Sequence, residues 1–231
     1  MSESQGSEYD RLFYPYLFEG GKASLEDVLE QVRHSTLEKC HEIIVLRQAT
    51  FERFREQIIS AGRAMAQAFA NGATLLAFGN GGSATDAQDL VTDLFNPPYA
   101  GWQPLPAIAL TNDIAVVTAV GNDVGFDNVF ARQVIAYGHA GDIALGLSTS
   151  GTSANILAAF EQAKKQGLLT IGLAGYEGGK MQHSSAVDVC ITAPSDHIPR
   201  IQEVHATIYH TFLDIIHAML IKEQADRNEI C

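Results

Sequence analysis

The sequence predicts an α/β fold in which a parallel sheet is sandwiched by helices. Three observations carry that expectation. Five short runs are apolar throughout, amphipathic stretches separate them, and turn residues rich in Gly, Ser and Asn follow several of the runs. A run that is apolar at every position, with no alternation, suits a strand covered on both faces, as in parallel sheets flanked by helices.

The segment before Leu37 is polar at its start and carries Phe13, Tyr14 and Tyr16; Ser24, with Asp27 three residues on, has the spacing of a helix N-cap. From Leu37 to Phe69 the residues Ile43, Ile44, Leu46, Phe51, Phe54, Ile58, Ile59, Met65 and Phe69 recur mostly at three- and four-residue steps, the helical period, until Asn71-Gly72 stops the helix. The five strands are expected at Thr74 to Phe78, Ala107 to Leu110, Ile143 to Leu147, Leu168 to Leu173 and Val187 to Ile191. A last helix is expected from about His197 to Ile221, with Ile201, Val204, Ile208, Phe212, Ile215, Ile216 and Met219 on its apolar face. The resulting division is an N-terminal extension over 1–36, one domain over 37–222 and a tail over 223–231.

Bulk composition narrows the function. With 231 residues, 46% apolar and 18% charged, the chain is long enough for one large core. Lys and Arg number 15 against 27 Asp and Glu, a formal charge of -12. No basic field exists to hold nucleic acid or an anionic membrane, so an anionic ligand must be held by local groups. The apolar runs are shorter than the roughly 20 residues that span a bilayer, and no secretory signal opens the chain, so a cytoplasmic protein is expected. Cys40, Cys190 and Cys231 are scattered without CxxC spacing, which supports neither a disulfide framework nor a thiolate zinc site.

Two turns carry chemistry. Gly79-Asn80-Gly81-Gly82-Ser83 joins a strand to a helical stretch, Ala84 to Phe95. Its glycines admit close backbone approach and the helix behind offers N-H groups, although a tight connection needs no more than this. Ser148-Thr149-Ser150-Gly151-Thr152-Ser153 follows the third strand and leads into a helix near Ala154. Five hydroxyls and a helix N-terminus can together solvate a phosphate monoester without a cation. A cap role explains Ser153 but not so dense a cluster.

These two turns, with Gly121-Asn122-Asp123 and Arg200-Ile201-Gln202-Glu203-Val204-His205, appear in the order found in phosphoheptose isomerases, and over about Leu37 to Leu220 the chain resembles that family of SIS (sugar isomerase) domain proteins. The resemblance implies a five-stranded parallel sheet, a homotetramer with sites built between subunits, and conversion of sedoheptulose 7-phosphate to D-glycero-D-manno-heptose 7-phosphate, an early step towards bacterial surface heptose. It implies that Ser148, Thr149, Ser150 and Ser153 hold the phosphate, and that Asn80, Gly81, Ser83, Asp123 and Gln202 shape the sugar pocket. A Glu on the helix after the Gly-rich turn and a His on the last helix act as base and acid in the family and help bind zinc in some members. The His matches His210. Where the family has a His and, four residues later, the Glu, this chain has Asp89 and Asp93.

An i, i+4 pair still shares a helix face, as do Gln202 and His210 two turns apart. Asp89, Asp93, Gln202 and His210 are therefore the candidate metal ligands, an oxygen-rich set, with Asp93 the candidate base and His210 the candidate acid. Without the resemblance, Asp86, Asp89 and Asp93 read rather as a solvated acidic helix face, since the whole chain is acidic. Pro199 stands just before Arg200, where the family often has an acidic residue, and Arg200 is left to pair with phosphate or with Glu203. The alternative function is a non-catalytic SIS-domain regulator or scaffold that binds a sugar phosphate, similar to replication-initiator-associating proteins. The substituted Asp89 and Asp93 favour it, while the retained Gln202 and His210 favour the enzyme.

Overall fold

The computed structural model describes residues 25–230, so the cap at Ser24 and the aromatic residues Phe13, Tyr14 and Tyr16 lie outside the described residues. The first helix, α1 (Leu25–Ala70), is continuous through the expected junction at 36/37. Its acidic first turn, Glu26 and Asp27, complements the positive end of the helix dipole. Two compact units divide between Ile44 and Val45, eight residues beyond that junction. Along the first unit's helix Leu25, Leu29, Val32 and Leu37 are exposed, and Arg33 pairs with Glu30.

In the second unit the chain alternates: β1 (Leu75–Gly79), α2 (Gly82–Phe95), β2 (Ala107–Ala109), α3 (Ile114–Asp123), α4 (Val129–Tyr137), β3 (Ile143–Ser148), α5 (Ala154–Gln166), β4 (Leu169–Gly175), β5 (Val189–Ala193) and α6 (Ile198–Ile230). All five strands lie within two residues of the expected runs. They form one parallel sheet in the order β2-β1-β3-β4-β5. Every residue of β1 and of β3 is buried, as unbroken apolar runs require.

Gly146 in β3 explains the one gap in that apolar run. A Cβ there would stand 2.6 Å from Phe160 and 2.7 Å from Phe78, so glycine leaves room for two rings that meet edge to face at 5.3 Å. Asp142 ties strand starts together, its carboxylate accepting from the N-H groups of Thr74 and His139 at 2.7 and 2.8 Å.

The final helix α6 continues through Ile230, so the segment expected as a tail from residue 223 begins as helix. It is also the one helix among the described residues long and apolar enough to cross a membrane, over Ile198–Asp226, although its apolar residues are spread along one face and form no unbroken run. Half of that window is buried inside the protein: Ile201, Val204, Ile208, Phe212 and Ile216 are fully covered, as expected of a core helix.

Candidate active site

Order β2-β1-β3 places the ends of β1 and β3 side by side, with Gly79 paired to Leu147. The two turns that follow these strands therefore share one edge of the sheet, the carboxyl end where ligands of such folds bind.

The Ser/Thr turn is built around Ser148, 4% exposed at the end of β3. Its Oγ lies 3.1 Å from Ser153 Oγ and 3.5 Å from Ser150 Oγ, and accepts the N-H of Gly151 at 3.1 Å. Ser150 Oγ accepts from both the N-H and the hydroxyl of Thr152. Ser153 occupies the N-cap position of α5 but makes no side-chain cap bond, so a cap role does not account for its hydroxyl. Gly151 is held at φ +63°, where a Cβ would stand 2.1 Å from the Gly178 carbonyl oxygen; only glycine fits this crossing.

The Gly-rich turn is pinned to this loop by a reciprocal amide pair. Asn80 and Asn155 each donate to the other's carbonyl oxygen at 2.9 Å, with Asn155 buried in the first turn of α5. At Gly82 a Cβ would stand 1.9 Å from Gln202 Nε2, so the glycine is what lets the amide of α6 reach the start of α2. Gly81 adopts φ +57°, and Ser83 is 3% exposed. Asp123 stands apart: it is exposed at the end of α3, where its carboxylate accepts from Asn122 Nδ2 at 2.7 Å.

Further along the same helix pair, α2 and α6 bring Asp89, Asp93 and His210 together. His210 Nε2 is 3.5 Å from Asp93 Oδ2 and 3.8 Å from Asp89 Oδ2. Tyr209 donates its phenol proton to Asp89 Oδ2 at 2.7 Å, and its ring lies 4.6 Å from the His210 ring. Loss of water, reinforced by the Asp89 charge, raises the Asp93 carboxyl above the usual range, while His210 partly opposes this. Asp86, one turn nearer the Gly-rich turn, is pushed up to about 6 by burial and by the same Asp89 charge. Burial, the hydrogen bond to Asp89 and nearby carboxylates raise the Tyr209 phenol strongly, so it stays a proton donor.

The four candidate metal ligands do not assemble as a set. Three meet on the seam, but the Gln202 amide is turned to Gly82. The Asp89 oxygen that faces His210 already accepts the tyrosine proton. Among the described residues no group of three or more His, Cys, Asp or Glu can hold a metal ion. The residues present therefore do not fit a resident zinc.

A model of the SIS domain matches residues 40–175, more than half of the chain. The phosphoheptose isomerase of Halorhodospira halophila is 45% identical over 177 residues, 76% of this chain and 89% of that protein. The chain belongs to the phosphoheptose isomerase family of SIS-domain proteins. A second relative, the phosphoheptose isomerase of Geotalea daltonii, is 48% identical over 160 residues, covering 69% of this chain and 82% of its own length. The solved structure of a phosphoheptose isomerase from Francisella tularensis superposes with a TM-score of 0.75 at 38% identity, across 83% of this chain and 98% of that one. The expected fold and family are thus both found.

Within this phosphoheptose isomerase fold, several residues near the site are engaged by other groups of the chain. His205 is fully buried, donates Nε2-H to the Ala174 carbonyl at 2.9 Å, and is kept neutral by burial, which lowers its pKa to about 4. His217 stacks on Trp102 at 4.1 Å. Arg200 Nη1 engages both carboxylate oxygens of Glu203, one of the two pairings open to it on sequence. Sequence reasoning passed over Asn155 and Tyr209. The only signal for Asn155 was its place two residues after Ser153; Tyr209 was hidden by the apolar face on which it sits.

Proposed function

We propose that the protein is an aldose-ketose isomerase that interconverts sedoheptulose 7-phosphate and D-glycero-D-manno-heptose 7-phosphate, with Asp93 as base and His210 as acid. The observation that carries this reading is the meeting of Asp93 and His210 at 3.5 Å across the α2 and α6 seam, from positions far apart in sequence. The base takes the proton from the carbon beside the carbonyl, and the electron pair forms the enediol as the acid protonates the carbonyl oxygen. Return of a proton to the neighbouring carbon, with loss of one from the other oxygen, completes the exchange with no net oxidation. The raised Asp93 carboxyl is a stronger base than an ordinary aspartate, which favours the first transfer.

The phosphate is assigned to Ser148, Thr149, Ser150 and Ser153, and the sugar to Asn80, Gly81, Ser83 and Gln202, with Asp123, which stands apart within one chain, supplied by a neighbouring subunit. Hydroxyls gathered within 3.5 Å of Ser148, ahead of the α5 N-terminus, suit an acceptor-rich anion in a chain of net charge -12. The Asn80 to Asn155 pair and the Gln202 contact at Gly82 support one rigid frame for phosphate loop and proton-transfer pair.

A homotetramer in the cytoplasm completes the reading. The tetramer's support is α3, an apolar helix of which Val117 and Val120 pack partly on the core and no residue is fully buried within the chain, with Ile114 70% exposed and the neighbouring Phe126 57% exposed. Sedimentation of the purified protein should give four copies, and a monomer would remove that part of the reading. The function is tested by incubating the protein with sedoheptulose 7-phosphate and following the sugar by NMR. Appearance of the aldose phosphate is the expected result; a ligand-induced melting shift without product would leave a sugar-phosphate-binding regulator instead.

A further inference from the structure

Tyr209 is 2% exposed, yet its hydroxyl donates to a carboxylate on another helix, Asp89 Oδ2 at 2.7 Å. A buried tyrosine needs a partner for its hydroxyl, and a hydrogen bond to a charged acceptor is among the stronger ones. The same Asp89 oxygen stands 3.8 Å from His210 Nε2, beyond hydrogen-bond reach, while Asp93 Oδ2 is nearer at 3.5 Å. The tyrosine ring also lies against the His210 ring, at 4.6 Å and an interplanar angle of 49°. One side chain thus touches two members of the seam, one through its hydroxyl and one through its ring.

We propose that Tyr209 is a positioning residue of the isomerase, holding Asp89 away from His210 so that the imidazole is left to Asp93. This rests on the assignment of Asp93 and His210 as the proton-transfer pair. Without the phenol, Asp89 is free to swing onto His210 Nε2 and compete with Asp93 for it. The tyrosine also bears on the misfit with zinc, since the Asp89 oxygen nearest His210 is already engaged by its proton. The chain's own hydroxyl, rather than a metal ion, then fixes the Asp89 carboxylate.

Tyr209→Phe keeps the ring and removes the hydroxyl. It should lower kcat roughly tenfold with KM changed less than about twofold, because the geometry of proton transfer is disturbed and the phosphate loop is not. Asp89→Ala alone and the double variant complete a cycle, in which the double variant should be no slower than the slower single one. Wild-type kcat in Tyr209→Phe, or fully multiplicative effects, would overturn the proposal. So would stoichiometric zinc retained by the wild-type protein through dialysis. If the wild-type chain turns over no sugar, the isomerase reading fails by itself. The geometry is then read from the His210 Cε1-H NMR signal, assigned by its loss in His210→Ala: it should move in Tyr209→Phe, and an unmoved signal sinks the inference.

Discussion

The Ser/Thr turn and the α2 and α6 seam solve different problems with different parts of the chain. The turn is made of short side chains and backbone: the Ser150 and Ser153 hydroxyls within 3.5 Å of that of Ser148, a glycine at φ +63° and the start of a helix. The seam is made of long-range side-chain contacts between Asp89, Asp93, Tyr209 and His210. A backbone site tolerates little change, because at Gly151 a Cβ would collide with the backbone of Gly178. A side-chain site can be rebuilt by exchanging one donor for another, and here two Asp stand where the family resemblance implies a His and a Glu, with a tyrosine that engages one of them.

Severing the two regions functionally gives the largest expected effect. His210→Ala should cut turnover by roughly 10²- to 10⁴-fold, the contribution of a positioned acid or base, while leaving a phosphosugar-induced melting shift intact. Single-turnover NMR and thermal shift on one preparation check both halves. A variant that still turns over normally would take His210 out of the mechanism.

Gly151→Ala attacks the other region. Its Cβ would meet the Gly178 carbonyl oxygen at 2.1 Å, a backbone atom that cannot swing aside, and the residue would be held at positive φ. Overpacking and the left-handed backbone together should cost roughly 2 to 4 kcal/mol. Urea unfolding measures it. At Gly82 the colliding atom is instead the end of the Gln202 side chain, so Gly82→Ala should destabilise the fold much less and act on substrate binding.

Ser148→Ala is a milder test of the same loop. The buried hydroxyl accepts the Gly151 N-H and touches two other hydroxyls, so its loss should cost about 1 kcal/mol of stability and reduce the melting shift given by phosphosugar. An unchanged shift at saturating ligand would exclude this loop as the phosphate site.

The same contrast decides what was legible in the sequence. Strands Leu75–Gly79 and Ile143–Ser148 declare themselves because burial on both faces demands an unbroken apolar run. The turns after them are legible because glycines and hydroxyl residues cluster where the chain reverses. The meeting of Asp93 with His210 came only through family resemblance; no local period links residues on α2 and α6. Tyr209 was invisible for a related reason, since one hydroxyl on an apolar helix face leaves the period unchanged. The turn of Gln202 towards Gly82 depends on a side-chain rotamer, which periodicity does not encode.

Asp86 gives the smallest expected effect and separates electrostatics from packing on the seam. Its carboxyl rises from the ordinary aspartate value to about 6 in the folded chain, chiefly by burial and then by the Asp89 charge. The folded state therefore holds a proton that the unfolded state has lost between about pH 4 and 6, so this group's contribution to stability falls as pH rises through that window and is flat above it. Asp86→Asn removes the charged form and should raise the melting point at pH 7 to 8, with the advantage gone by pH 4. Partial exposure lets solvent screen the penalty, so the gain at neutral pH should be about 1 kcal/mol or less. Equal gains at both pH values would assign the benefit to packing, whereas a gain confined to neutral pH would show that the crowded carboxylates of α2 carry an electrostatic cost which the Ser/Thr turn, built without charges, does not share.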